Sequence, residues 1–194
     1  ARINQNKTSY VMLDKEKNID TILVLDFGSQ YTQLIARRVR ELDVFSEILP
    51  WDISTEKIRS LNPNGIILSG GPDSVTSANT PRIPEVIFEL DIPILGICYG
   101  MQTLAEQFGG QVTASSSKEF GHATINLEKT SVLFDGFSSG SSIDVWMSHG
   151  DQVSTLPDEF NLVASTSSAP IAAMEHVERP IFALQFHPEV THTK

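Results

Sequence analysis

The stretch Ile92-Pro-Ile-Leu-Gly-Ile-Cys-Tyr-Gly-Met-Gln-Thr-Leu-Ala-Glu-Gln-Phe108 decides the fold. It opens as a short continuous apolar run, Ile92–Ile97, of the kind buried on both faces of a parallel sheet. It closes as a helix over Tyr99–Phe108 with Met101, Leu104, Ala105 and Phe108 on one face. Upstream the alternation repeats. Thr21–Asp26, Ser46–Leu49 and Gly65–Ser69 read as strands. A helix from a Ser29 N-cap to about Asp43, a short one over Ser54–Leu61 and another near Ile83–Leu90 lie between them. This pattern predicts an α/β fold, a doubly wound and mostly parallel sheet flanked by helices. After Gly109-Gly110 short strand-like segments dominate: Gln111–Thr113, Ala123–Leu127, Ile143–Trp146, Leu162–Ser165, Ile171–Met174 and Ile181–Phe186. They predict a smaller, partly antiparallel β region in the C-terminal half, packed against the parallel sheet. Ser115-Ser-Ser117 reads as loop. Residues 1–20 are polar and aperiodic and read as an N-terminal extension, leaving 21–194 as one domain. The start at Ala1 rather than Met is the mark expected of a processed or excised N-terminus.

Composition bounds the function. Of 194 residues, 40% are apolar and 20% charged, which is a globular balance. A net charge of −10 opposes binding to nucleic acid and to anionic membranes. No apolar run approaches the roughly 20 residues that span a bilayer, and no secretory leader is visible. A cytoplasmic protein is expected. The single cysteine, Cys98, excludes an intrachain disulfide and a Cys-rich zinc site.

Cys98 lies in Gly96-Ile-Cys-Tyr-Gly100, between the strand and the helix, in the form of a nucleophile elbow with Cys in place of Ser. A sharp strand-to-helix turn exposes the side chain at the carboxyl edge of the sheet. The flanking glycines let the backbone pass closely. The helix N-terminus behind the sulfur favours thiolate. The Tyr99 amide points into the same space, where an oxyanion can bind. A lone cysteine is otherwise more often a buried structural residue; the elbow setting favours the nucleophile. Such a nucleophile needs a base, and the base an orienter. His122, His149, His176 and His192 lie in or near turns. His187 follows a strand in Gln185-Phe-His-Pro-Glu189. Pro188 favours an extended His187, and residues two apart on an extended segment share a side, so the Glu189 carboxylate can sit beside the imidazole.

Gly-Ile-Cys98-Tyr-Gly-Met-Gln102 and His187-Pro-Glu189 resemble the two active-site signatures of class I glutamine amidotransferases, and Leu68-Ser-Gly-Gly-Pro72 is similar to that family's oxyanion loop. The resemblance runs over nearly all of residues 21–193. Leu25–Leu34, Ala36–Glu41, Asp144–Asp151 and Phe186–Thr193 narrow it to the amidotransferase domains of bacterial-type GMP synthases. It implies a flavodoxin-like core and hydrolysis of glutamine by Cys98, His187 and Glu189, with the Gly71 and Tyr99 amides as oxyanion hole. Gln102, four residues along the helix from Cys98, faces the substrate on this reading. Ser148, His149 and Asp151, read as a turn after an apolar strand, hold the amino-acid end of glutamine, the anion suiting an ammonium group. No metal or cofactor is implied for this domain. The full enzyme would add an ATP-pyrophosphatase domain using ATP and Mg, a dimerisation domain and a homodimeric assembly. The end at Lys194 and the lack of a Ser-Gly-Gly-x-Asp-Ser pyrophosphate loop imply an excised domain that releases ammonia without making GMP. Readings that remain are an amidotransferase for another acceptor, a γ-glutamyl hydrolase and a non-catalytic regulatory module.

Overall fold

The computed structural model describes residues 19–193, without the side chains of 116–118. Apart from Ile19 and Asp20, the expected N-terminal extension lies outside the described residues. In chain order the elements are β1 (Thr21–Asp26), α1 (Thr32–Glu41), β2 (Phe45–Pro50), α2 (Thr55–Leu61), β3 (Gly65–Leu68), α3 (Val86–Glu89), β4 (Ile94–Ile97), α4 (Tyr99–Gln107), β5 (Gln111–Leu127), β6 (Ser142–Thr155), β7 (Phe160–Ser165), β8 (Ala173–His176) and β9 (Ile181–Leu184). They build one nine-stranded sheet in the order β2-β1-β3-β4-β9-β8-β7-β5-β6. The five strands from β2 to β9 are parallel, and β9 then pairs antiparallel with β8. The antiparallel region therefore continues the parallel sheet edge to edge instead of stacking on it.

Strand alternation sorts the parallel half into two cores. Leu23, Leu25 and Leu68 point to the face covered by α2, α3 and α4, where Ile58, Ile87, Met101 and Leu104 are buried. Val24 and Ile97 point to the other face, against Ile35 and Ala36 of α1. Helices on both faces leave the inner parallel strands β1, β3 and β4 apolar on both sides, which is why their centres read as apolar runs, whereas the edge strand β2 carries Ser46 and Glu47.

Register places the functional edge. Leu25 lies opposite Leu68, Leu68 opposite Gly96, and Gly96 opposite Ala183. The carboxyl ends of β1, β3, β4 and β9 are thereby level, and the segments that leave them meet at one edge, the usual ligand position in open α/β sheets.

Three further expectations differ from the structure. Ser29 does not cap α1: its hydroxyl accepts from the Tyr31 amide at 3.0 Å, a local turn that postpones the helix to Thr32. Ser115-Ser-Ser117 lies inside β5, a 17-residue strand held by pairing with β6. Ser148, His149 and Asp151 lie in no turn; they are part of β6. The register between β5 and β6 shifts from Ala114–Asp151 to Glu119–His149, an irregularity that bends the ladder beside the carboxyl edge.

Candidate active site

Cys98 stands between β4 and α4 with φ +52° and ψ −106°, a backbone region that non-glycine residues rarely occupy. Its neighbours impose that conformation. The Cys98 amide donates to Leu184 O at 2.8 Å, the Gly100 amide to Ser69 O at 3.1 Å, and the Gln102 amide to Cys98 O at 3.1 Å. A Cβ on Gly96 would lie 2.7 Å from Leu104 Cδ1, and one on Gly100 would lie 2.5 Å from Leu68 O, so the elbow has no room for side chains on either glycine. Strain of this kind persists where the surroundings over-determine it.

The loop that leaves β3 runs past the sulfur. A Cβ placed on Gly70 would lie 3.3 Å from His187 Cε1 and 3.6 Å from Cys98 Cβ, so the bare backbone of Gly70 is what lets imidazole and cysteine approach. His187 is 3% exposed and Glu189 4%. They meet as the extended His-Pro-Glu geometry predicts, His187 Nδ1 to Glu189 Oε1 at 2.8 Å. The segment is clamped from outside. The His187 amide donates to Trp146 O at 3.0 Å, the Thr193 hydroxyl donates to His187 O at 2.7 Å and accepts from the Trp146 amide at 3.1 Å, and Arg38 Nε donates to Glu189 O at 3.1 Å. The Tyr31 ring meets the His187 ring edge-on, centroids 5.2 Å apart.

Burial works against a charged His187, but hydrogen bonds to Cys98 and Glu189 and their negative charge outweigh it and raise its pKa to about 10. A histidine in an unfolded chain titrates near 6.5. His187 thus contributes stability that is fully present below about pH 6.5 and lost as pH rises through about 10, on the order of a few kcal/mol. Chemical unfolding across that window should show a steeper loss of stability in the wild type than in His187→Gln. Parallel curves would contradict the assignment.

A cleft of about 590 Å³ opens over Cys98 and His187, bordered by Gly71, Gln102, Tyr31, Asp73 and the β6 residues Ser148 to Asp151. The predicted residues thus converge, though in different roles. Among the described residues the amides of Gly71 and Tyr99 have no protein acceptor. Gln102 gives one amide hydrogen to Asp151 O at 2.9 Å and another to Gln185 Oε1 at 3.4 Å, so it borders the cleft with its carbonyl oxygen uncommitted among the described residues. Ser148 offers its backbone: Cys98 Sγ lies 3.5 Å from Ser148 O. His149 follows Ile143, Val145 and Met147 on the buried face of β6. Both its ring nitrogens are engaged, with Glu119 Oε2 at 3.0 Å and with Asp151 O at 2.9 Å, and Glu119 is bonded in turn to Ser168. His149 therefore braces the strand. The Asp151 carboxylate has no protein partner among the described residues and borders the cleft. Among the described residues no cluster of three or more His, Cys, Asp or Glu is placed to hold a metal ion, and no helix is long and apolar enough to cross a membrane.

Sequence reading missed Gln185, which is fully buried with Nε2 3.6 Å from Cys98 Sγ. It also missed Thr193 and Arg38, whose partners lie 47 and 151 residues away. The position of Gln185 two residues before His187 was the available signal, since extended residues two apart share a side.

Residues 23–194 match the family model for class-I glutamine amidotransferases. The chain is 56% identical over 178 residues to a GMP synthase [glutamine-hydrolyzing] of Histophilus somni, covering 89% of the chain and 34% of that protein. To its counterpart from Colwellia psychrerythraea it is 54% identical over 188 residues, covering 94% of the chain and 36% of that protein. The chain spans about a third of the length of these curated relatives. A crystal structure from Thermoplasma acidophilum, of a protein assigned as a GMP synthase subunit, superimposes with a TM-score of 0.78 at 34% identity over 91% of this chain and 87% of that one.

Proposed function

The chain belongs to the class-I glutamine amidotransferases, and from that premise we propose that it hydrolyses glutamine to glutamate and ammonia as the glutaminase part of a GMP-forming enzyme. The observation that carries this reading is the meeting of a strained cysteine elbow with a buried His187–Glu189 pair, 2.8 Å apart, in one cleft.

The proposed reaction follows from the geometry. With the proton already on His187, whose pKa is about 10, the Cys98 sulfur attacks the side-chain carboxamide carbon of glutamine as a thiolate. The carbonyl π electrons move to oxygen, and the Gly71 and Tyr99 amides donate to that oxyanion. Collapse breaks the C–N bond as His187 protonates the departing nitrogen, leaving a γ-glutamyl thioester and free ammonia. A water then gives a proton to His187 and attacks the thioester carbon; the C–S bond breaks, and the Cys98 thiolate is released beside the protonated His187. Glu189 holds the Nδ1 proton, so Nε2 is the atom that exchanges protons with substrate. Asp151, whose carboxylate has no partner among the described residues, suits the ammonium group of glutamine, and the Gln102 oxygen, uncommitted among the same residues, suits an N–H donor. The remainder of such an enzyme would be an ATP-pyrophosphatase domain using ATP and Mg, acting on XMP in a homodimer within the cytoplasm.

An electrophilic glutamine analogue should add once, at Cys98. Intact mass and peptide mapping read this directly, with ammonia release measured alongside. A folded chain that takes no adduct under excess reagent would remove the nucleophile assignment.

A further inference from the structure

Gln185 follows the end of β9 and lies under the sulfur, fully buried. Its side-chain amide is not free to turn, because a chain of acceptors fixes it. Asp151 O is a backbone carbonyl and only accepts, so the end of Gln102 that lies 2.9 Å from it is the NH₂ group. The second hydrogen of that group points at Gln185 Oε1, 3.4 Å away. Gln185 therefore turns its own NH₂ towards Cys98 Sγ, at 3.6 Å, within reach of a hydrogen bond to sulfur. The sulfur also meets the Ser148 carbonyl at 3.5 Å, which accepts from a thiol but repels a thiolate. An N–H donor is needed to offset it.

We propose that Gln185 is a further catalytic group of this site, its amide holding the Cys98 thiolate, and that Gln102 is the positioning residue that keeps the donor end of that amide on the sulfur. This rests on Cys98 being the nucleophile. A merely structural Gln185, filling space under β4 and β9, would leave the pH dependence of the thiol untouched.

The test is alkylation of the 194-residue chain by iodoacetamide, followed by intact mass across a pH series; the S–C bond forms as iodide leaves, and Cys98 is the only cysteine. The wild type is compared with Gln185→Met and Gln102→Met. Among the described residues the other titratable groups facing the sulfur or its cleft are His187 with Glu189, the His149–Glu119 pair, Asp151 and Asp73, and Tyr31, all common to the three proteins. Differences therefore report the amide. Gln185→Met should move the midpoint of the rate profile up by about one pH unit, which slows alkylation about tenfold below it. Gln102→Met should move it the same way by less. Profiles superimposable on the wild type would overturn the proposal. Should Gln185→Met not fold, the wild-type chain decides: the ¹⁵N-resolved side-chain amide signal of Gln185 should titrate with the alkylation midpoint and lose that response in Cys98→Ser. A silent signal overturns it equally. Alkylation needs no glutamine, so this outcome is separable from the glutaminase reading, which ammonia release alone decides.

Discussion

Cys98→Ala is expected to lower ammonia release from glutamine by more than about 10³-fold, towards the uncatalysed background. Among the described residues no other group in the cleft can take its place. His187 has Nδ1 committed to Glu189, and the remaining polar side chains described there are acids, amides, hydroxyls and the braced His149. His187→Ala should fall almost as far, since the thiolate then loses its charged partner and the departing nitrogen its proton donor. The double variant should be no worse than either single one by more than a small factor, because groups that act as a unit do not add. Cys98→Ala is also expected to keep its fold without a gain in stability, since alanine removes the sulfur that helps to hold the His187 charge and still carries the unfavourable φ of +52°; Cys98→Gly relieves that strain and should be the more stable of the two, by about 1 kcal/mol. Ammonia release with thermal unfolding on the same samples reads both. Turnover surviving in Cys98→Ala would end the nucleophile assignment.

What could be read in advance follows from how local each cause is. β1, β4 and α4 declare themselves because their burial is local: an apolar run covered on both faces, or one apolar stripe on a helix. The elbow is legible for the same reason, since the glycines that make room for it are two residues either side of Cys98. His187 and Glu189 are legible because an extended segment with proline between them leaves little choice of geometry. The two ends of β5, Gln111–Thr113 and Ala123–Leu127, were legible, but its middle was not, because a stretch as polar as Ala114–Gly121 has no apolar alternation of its own and is strand only because the ladder with β6 holds it on both sides. β6 carried a usable signal that ran longer than the apolar segment Ile143–Trp146: the alternation Ile143, Val145, Met147 extends to His149, and following it would have placed His149 on the buried face. Ser29 shows the opposite hazard. It is a good N-cap residue by type, but the same hydroxyl can close a turn on its own second neighbour. Only the Asp26 carboxylate, bonding the Gly28 amide at 2.9 Å and Thr32 Oγ1 at 2.8 Å, shows which use prevails. Gln185, Thr193 and Arg38 act across the sheet edge, and their roles exist only once β4, β6 and β9 are brought together.

Gly71→Ala should cost about 10²- to 10³-fold in the rate of glutamine turnover, more in kcat than in KM. A Cβ at this position would lie 2.5 Å from Phe27 O and 3.3 Å from Phe27 C, and these are backbone atoms. Phe27, the first residue after β1, cannot retreat, because it is tied to Ser69, the first residue after β3, and Ser69 is itself tied. The Phe27 amide donates to Ser69 Oγ at 2.9 Å, while the Ser69 amide donates to Leu25 O at 3.1 Å and Ser69 O receives the Gly100 amide at 3.1 Å. The strands and the elbow therefore hold the far side of the contact, and the loop bearing Gly71 must be the part that moves. A displacement of about 1 Å is enough to spoil a preorganised donor. The fold should survive, with a loss of about 1–3 kcal/mol from the forced shift. Alkylation of Cys98 by iodoacetamide passes through no oxyanion, so its rate should stay near that of the wild type while glutamine turnover collapses. Equal losses in both reactions would mean that the substitution had damaged the cysteine itself, and an unchanged kcat would remove the Gly71 amide from the oxyanion hole.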